Sequence, residues 1–408
     1  MTQKPDPHHI TTALIHHAYA PPSAFEGIQP PVHKASTVLF PDVAAMRKRR
    51  WQDKSGYTYG LHGTPMSFLL EERIATLEGG THCLLAPSGL AAISTTSLAL
   101  LSQGDEVLLP DNVYGPNMAL TLELLARYGV RHAVYDPMDV QDLADKITPA
   151  TRLVWLEAPG SVTMEFPDLV AQVRLCRERG VTTALDNTWG AGLAFAPFDL
   201  LGDASLGVDV SVHALTKYPS GGGDVLMGAI TTRDTALHRR IQGAHMHLGL
   251  GVAANDLEVV LRALPSMALR YRAQDVVARE LAQWLQGQEP VAQVLHPALA
   301  GAPGHEHWQA LCCRQGEGLA AGLFSVVVDA RYSSAQVDAF CDALKLFRLG
   351  YSWGGPLSLV MPYQLPAMRS HATPHLARGT VVRFAIGLEE VQDLRADLQQ
   401  AISIVFGQ

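Results

Sequence analysis

Several short stretches of this 408-residue chain carry side chains able to do chemistry, each close to where an apolar run meets a turn. In SVHALTKYPSGGGD a β-branched run leads to Lys217, and three glycines, Gly221 to Gly223, follow. A lysine at the end of a buried strand is costly unless its amine is paired or neutral, and desolvation moves it toward the unprotonated, nucleophilic form. The alternative is a lysine whose stem packs on the surface while its ammonium reaches water. VTTALDN ends near Asp186, a carboxylate that requires a cation or several donors; an aspartate capping a helix would satisfy the same pattern. APSGLAA passes through Ser88 and Gly89 into an Ala-rich helix, whose first free N–H groups suit an anion such as phosphate.

Two further residues belong with these. Tyr114, in NVYGPN after the strand-like EVLLP, offers a flat ring and a phenol for proton transfer, although turn tyrosines also serve simply as packing. Arg383 sits inside TVVRFAIG, where a guanidinium among apolar neighbours needs an anion. That anion is either a substrate α-carboxylate held bidentately or a carboxylate of the protein itself. An amine for a Schiff base, a carboxylate and a phosphate cradle at the strand ends of one sheet form the set that pyridoxal phosphate needs. The lysine bonds to its aldehyde, and the aspartate keeps its ring nitrogen protonated so that the ring withdraws electrons. The three glycines are expected to leave room for a flat cofactor.

The elements that would position these residues follow a βαβ rhythm. SFLLEERIATLEGG reads as a helix closed by glycine, HCLLA as a strand, GLAAISTTSLALL as a helix and DEVLLP as a strand. TLELLARYGV and FPDLVAQVRLCRERG continue as helices; RLVWLEA, TTALDN and GVDVSVHAL continue as strands. The expected fold class is therefore α/β: a mostly parallel sheet with helices on both faces, binding ligands beyond its carboxyl edge. A long helical connector, interrupted by Pro265 and capped near Asn255, leads to GLFSVVVD, SSAQVDAFCDALKLF, GTVVRFAIGLE and EVQDLRADLQQAISIVF, a smaller α+β domain. The expected boundaries are a proline-rich arm over 1–62 that packs on another subunit, a large domain over 63–255, and the connector with the C-terminal domain over 256–408.

Composition narrows the function classes. A net charge of −8 with 17% charged residues opposes a nucleic-acid surface, and the one basic cluster, Arg47 to Arg50, reads as a solvated turn. The N-terminal segment lacks the apolar core of a secretory signal, and no window resembles a membrane span, so a cytoplasmic protein without membrane partners is expected. Five cysteines form neither a disulfide framework nor a zinc CxxC pair, and the histidine pairs lack HExxH spacing, so no metal is expected.

The segments YTYGLHGTP, LEGG, NVYGP, LEAPGSVTME, DNTWGAG, ALTKYPSGGGD, HPALAGAPGHEHW, YSWGG and VVRFAIGLEEVQDLRADL, in that order, resemble the pyridoxal-phosphate enzymes of cysteine and methionine metabolism, of the aspartate aminotransferase fold type I. Within that family they are most similar to the carbon–sulfur β-lyases that take L-cystathionine, with a γ-lyase or cysteine desulfhydrase on the same fold, or a regulatory protein that binds the cofactor with weak catalysis, as the alternatives. The resemblance implies a sheet of the seven-stranded type and pyridoxal 5′-phosphate carried by Lys217, with Asp186 at its ring nitrogen. It places Gly89, Leu90 and Thr216 at the phosphate, Tyr114 stacked on the ring, and Tyr59 reaching the phosphate of a neighbouring subunit. Ser352, Trp353, Tyr59 and Arg383 would face an amino-acid substrate, in a homotetramer built from dimers with shared active sites. The chain departs from the family pattern in three places. Leu61 and His62 occupy the region of a phosphate-binding arginine, Ala214 replaces a serine, and Leu357 replaces a glutamate.

Overall fold

The computed structural model describes Thr12 and residues 27–314 and 316–407. Val32–Gln408 forms one compact unit. Of the arm expected over 1–62, residues 1–11 and 13–26 lie outside the described residues, and the portion from Val32 onward belongs to this unit.

This unit carries two sheets. The first holds β1 (His82–Ala86), β2 (Glu106–Pro110), β3 (Arg131–Tyr135), β4 (Thr151–Glu157), β5 (Thr182–Asp186), β6 (Val210–His213) and β7 (Gly228–Thr232), in the order β1-β7-β6-β5-β4-β2-β3. β7 runs antiparallel to both of its neighbours and the other pairings are parallel. Central strands of such a sheet are covered on both faces, which explains the unbroken apolar runs Val107–Leu109 and Leu153–Leu156, all buried. Helices close the faces. Helix α1 (Pro65–Glu78) begins with a reciprocal cap between Thr64 and Ser67, with proline at its first position, and ends at Gly79. Helix α2 (Gly89–Leu100) is capped by Ser88, whose hydroxyl accepts from Ala91 N–H at 3.0 Å.

The second sheet orders β8 (Val291–Leu295), β9 (Leu323–Asp329), β10 (Arg348–Leu349), β11 (Leu359–Tyr363) and β12 (Gly379–Ala385) as β10-β11-β12-β9-β8, all antiparallel except β10 with β11. Helix α3 (Met267–Leu285) belongs to two cores. Tyr271 packs with the large sheet's core and donates to the Trp189 carbonyl at 2.9 Å, whereas Ala278, Leu281, Ala282 and Leu285 pack with β9, β12 and helix α4 (Val391–Val405).

Four strands of more than two residues have no counterpart in the sequence expectation. β3 lies at a sheet edge with Arg131 and His132 exposed, and β8 is half-exposed, so both lack an apolar run. β11 mixes half-buried positions with Pro362, and β7 begins with Gly228, a short stretch after the glycine loop. Asn255 does not cap the connector. The preceding helix starts at Ala254 with Ala253 in the cap position, so Asn255 lies inside its first turn.

Candidate active site

The carboxyl ends of β4, β5 and β6 and the start of α2 enclose a cavity of about 400 Å³. Lys217 enters it from the turn after β6, four residues beyond the strand's last residue, His213. Thr216 fixes this turn, since its hydroxyl donates to the Met227 carbonyl at 3.2 Å and accepts from Met227 N–H at 3.1 Å, joining the lysine turn to the strand that follows. The Lys217 amine donates to Ser352 Oγ at 3.1 Å and stands 4.3 Å from the Trp353 ring centroid. Burial, with the Arg383 guanidinium nearby and only Asp186 opposing, lowers this amine from its ordinary 10.5 to about 8. It does not snorkel to solvent.

The glycines after Lys217 act differently from the expectation. Only Gly223 lines the cavity. Gly221, at φ +66°, lies against the Arg270 guanidinium, which donates to the Tyr218 carbonyl at 2.8 Å; a side chain there would collide with that clamp. Gly354, at φ +76°, lets the loop bearing Ser352 and Trp353 approach the lysine turn, because an added Cβ would stand 2.8 Å from Tyr218 N.

Asp186, the last residue of β5, lines the cavity and accepts from Thr188 N–H at 3.0 Å, so one oxygen closes a turn rather than capping a helix. Burial raises its pKa, against the pull of Thr188, His213 and Lys217. Ser88, Gly89, Leu90 and Thr216 line the same cavity. The Gly89 and Leu90 N–H groups, first in α2, find no acceptor among the described residues. The Thr216 hydroxyl is already engaged with Met227. Ala214, where a hydroxyl donor was expected to be missing, donates its backbone N–H to Thr188 Oγ1 at 2.9 Å.

Tyr114 lines the cavity half-buried, and burial, then Asp186 and Glu157, raise its phenol pKa. Arg383, in β12, is buried; its Nη1 donates to the Ser161 carbonyl at 2.9 Å, and its guanidinium carbon lies 5.2 Å from the ring centroids of both Trp353 and Tyr363. No carboxylate pairs with it among the described residues; Tyr363, Tyr114 and Tyr351 surround it, and its other charged neighbour is the Lys217 amine. Burial lowers its pKa.

Tyr59 and His62 do not line the Lys217 cavity. Tyr59 is 46% exposed, and His62 Nδ1 lies 2.5 Å from Thr58 Oγ1 with its ring against Trp51 and Tyr59. Leu357 is half exposed.

Two groups were missed in the sequence. Glu157 ends β4 in register with Asp186 and lines the cavity; it carries the same signal as Asp186, a carboxylate closing an apolar run, RLVWLE. Glu78, the last residue of α1, is fully buried and accepts from Asn187 Nδ2, Ser211 Oγ and His213 Nδ1, each at 2.8 Å, tying the ends of β5 and β6 to α1. A buried carboxylate with three donors is stable where an unpaired one would not be.

This arrangement fits pyridoxal phosphate: a low-pKa amine, a buried carboxylate and unpaired N–H groups at a helix start converge on one cavity. The family model for "Cys/Met metabolism PLP-dependent enzyme" matches residues 11–403, and the chain belongs to that family. It is a pyridoxal-phosphate-dependent carbon–sulfur lyase. The chain is 37% identical over 400 residues to a cystathionine β-lyase of Bordetella avium, covering 97% of each. It is 33% identical over 395 residues to the cystathionine β-lyase MetC of Escherichia coli, covering 95% of this chain and 97% of that one. The crystal structure of metB from Corynebacterium glutamicum superposes with a TM-score of 0.82 at 27% identity, over 98% of this chain and 100% of that one. Relatives at 32% identity include an L-methionine γ-lyase of Pseudomonas putida and an L-alanine/L-glutamate racemase of Wolbachia pipientis. Among the described residues no helix is long and apolar enough to cross a membrane.

Proposed function

We propose that this lyase cleaves the Cβ–S bond of L-cystathionine, so that substrate and water give homocysteine, pyruvate and ammonia. The observation that carries the reading is Arg383, a buried guanidinium with no carboxylate partner among the described residues, close to the Lys217 amine through the shared Trp353 ring. A lone buried cation calls for an anion from outside, and an amino acid's α-carboxylate meets that need bidentately. The names of the Bordetella and Escherichia relatives support the same substrate.

In this reading Lys217 carries the cofactor, Asp186 holds its ring nitrogen, and the N–H groups of Gly89 and Leu90, with Thr216, hold its phosphate. Bound there, pyridoxal phosphate supplies an electron sink that makes the substrate's α-proton acidic. Lys217 is the base that removes that proton: its amine titrates at about 8, whereas the Tyr114 phenol is shifted upward and keeps its proton. Ser352 holds the amine at 3.1 Å, and Trp353 excludes water on one side of it. Tyr114 then serves as a stacked ring and hydrogen-bond donor.

The assembly in this proposal is a homotetramer of dimers, with Tyr59 completing the neighbouring subunit's site. Supporting it are apolar side chains uncovered between residues 32 and 59, among them Leu39 at 89% and Val43 at 56% exposure. The deciding experiment is incubation of the cofactor-loaded protein with L-cystathionine and identification of the products. Pyruvate with homocysteine is the expected result. α-Ketobutyrate with cysteine would replace this reading by γ-elimination, and racemisation of L-alanine without release of either keto acid would replace it by a racemase.

A further inference from the structure

Glu157 lies at the centre of the site without a role in the chemistry described so far. It is buried, it lines the cavity, and it stands beside Asp186 at the carboxyl ends of two adjacent parallel strands. Its Oε2 accepts from the Tyr114 backbone N–H at 2.8 Å. That N–H belongs to the residue that opens the short helix Gly115–Ala119, so the bond fixes where the Tyr114 ring departs from the chain. Glu157 also neighbours the backbone N–H of Ser161, whose carbonyl receives Arg383 Nη1. One carboxyl group thus touches the segments that present both Tyr114 and Arg383.

We propose that Glu157 is a positioning residue that, as a neutral carboxylic acid, anchors Tyr114 and the Ser161 segment and leaves Asp186 as the single negative charge at this end of the sheet.

The groups around Glu157 support the neutral form. From β5 it faces the Asp186 carboxyl, from the loop after β2 the Tyr114 phenol and N–H, from its own loop the Ser161 N–H, and at longer range the Arg369 guanidinium. None of these is an ion-pair partner, because Arg369 is occupied by Glu165 and Asp111. Burial and the adjacent Asp186 both raise the Glu157 pKa, and the two backbone N–H groups and Arg369 oppose without reversing it. Two adjacent buried carboxyls cannot both ionise cheaply, so one keeps its proton. Asp186 has the Thr188 N–H, His213 and Lys217 to favour its charge; Glu157 therefore carries the proton.

The inference rests on the pyridoxal-phosphate lyase reading, and its test separates the two. E157Q keeps an acceptor of the same shape for Tyr114 N–H without a titrating group, and E157L removes the acceptor. Both are prepared as holoenzymes and compared with wild type by the induced circular dichroism of the cofactor band from pH 6 to 9 and by kcat and KM with L-cystathionine. E157Q is expected to match wild type within about threefold in kcat, with an unchanged band. E157L is expected to lose about tenfold to a hundredfold in kcat and to show a weakened band, because misplacing a reacting or stacking group by up to about 1 Å costs that much. A band and kcat in E157L equal to wild type would overturn the anchoring role. An E157Q as impaired as E157L would overturn the neutral state. If E157L does not fold, E157Q alone decides, since a required carboxylate would impair it and a neutral acid would not. If wild type releases no product from L-cystathionine, the substrate assignment fails while the band comparison still decides the role of Glu157.

Discussion

Lys217 imposes a cost on the protein without cofactor, and the structure sets its size. Its amine titrates at about 8 in the fold and at the ordinary 10.5 in the unfolded chain, because burial and the Arg383 guanidinium disfavour the charge. A group whose folded value lies below its unfolded one, and which is charged when protonated, destabilises the fold wherever both states hold the proton. The cost is therefore complete below pH 8, shrinks between 8 and 10.5, and vanishes above. At ~1.4 kcal/mol for each tenfold change in proton affinity it amounts to at most ~3 kcal/mol at pH 7. K217M keeps the stem's volume and removes the charge. With an unfolding entropy of ~2 cal/mol/K per residue, the apo variant is expected to unfold up to ~4 °C above apo wild type at pH 7. That gain should disappear near pH 10.5. The assay is thermal unfolding of both apo proteins, followed by circular dichroism at a fixed scan rate and protein concentration across that pH range. A variant equal to or less stable than wild type at pH 7 would mean that the amine is solvated, and the argument for an activated lysine would fail. The same variant should have no detectable turnover.

Three further outcomes follow from other groups. Glu165 is buried, and the bonds from His375, Arg369 and Thr163 outweigh burial to lower it from 4.5 to about 2, so its carboxylate stabilises the fold above pH 4.5 and that stability is lost as pH falls toward 2. E165Q should lose up to ~3 kcal/mol at pH 7 in urea unfolding, with the difference from wild type closing in acid; a constant difference across pH would refute the charge argument. R383K should raise KM for L-cystathionine by about tenfold to a hundredfold, with a smaller change in kcat, because an ammonium cannot reproduce the bidentate fork; an unchanged KM in steady-state kinetics would remove Arg383 from the substrate site. E78A should lower the apo melting temperature by ~4 °C or more, since it strands the His213, Asn187 and Ser211 donors in the core; a shift below ~1 °C would show that water replaces the carboxylate.

The order of elements and the chemistry of the single residues were legible in the chain itself. Short apolar runs inside strands of five to seven residues, alternating with helical periodicity, required an α/β sheet, because the middle of a strand buried on both faces leaves no polar position. Lys217 and Asp186 stood out for the same reason, as charged groups at the ends of such runs. Glu157 bears an identical signature, but nothing local tells a strand-end carboxylate beside a ligand from one at a surface.

Tertiary structure decided what those residues meet. β7 inserts antiparallel between β1 and β6, a pairing that no periodicity reports, and through Met227 it locks the turn that carries Lys217. The choice between a salt-bridged and a free Arg383 depended on which side chains from other segments, up to 270 residues away, surround it: Tyr114, Tyr363 and Trp353, with no carboxylate among them. The shifts of Lys217 and Asp186 likewise arise from desolvation by the assembled core. A residue type sets which proton or charge a side chain can carry, but the free energy of carrying it is set by neighbours that only folding brings within reach.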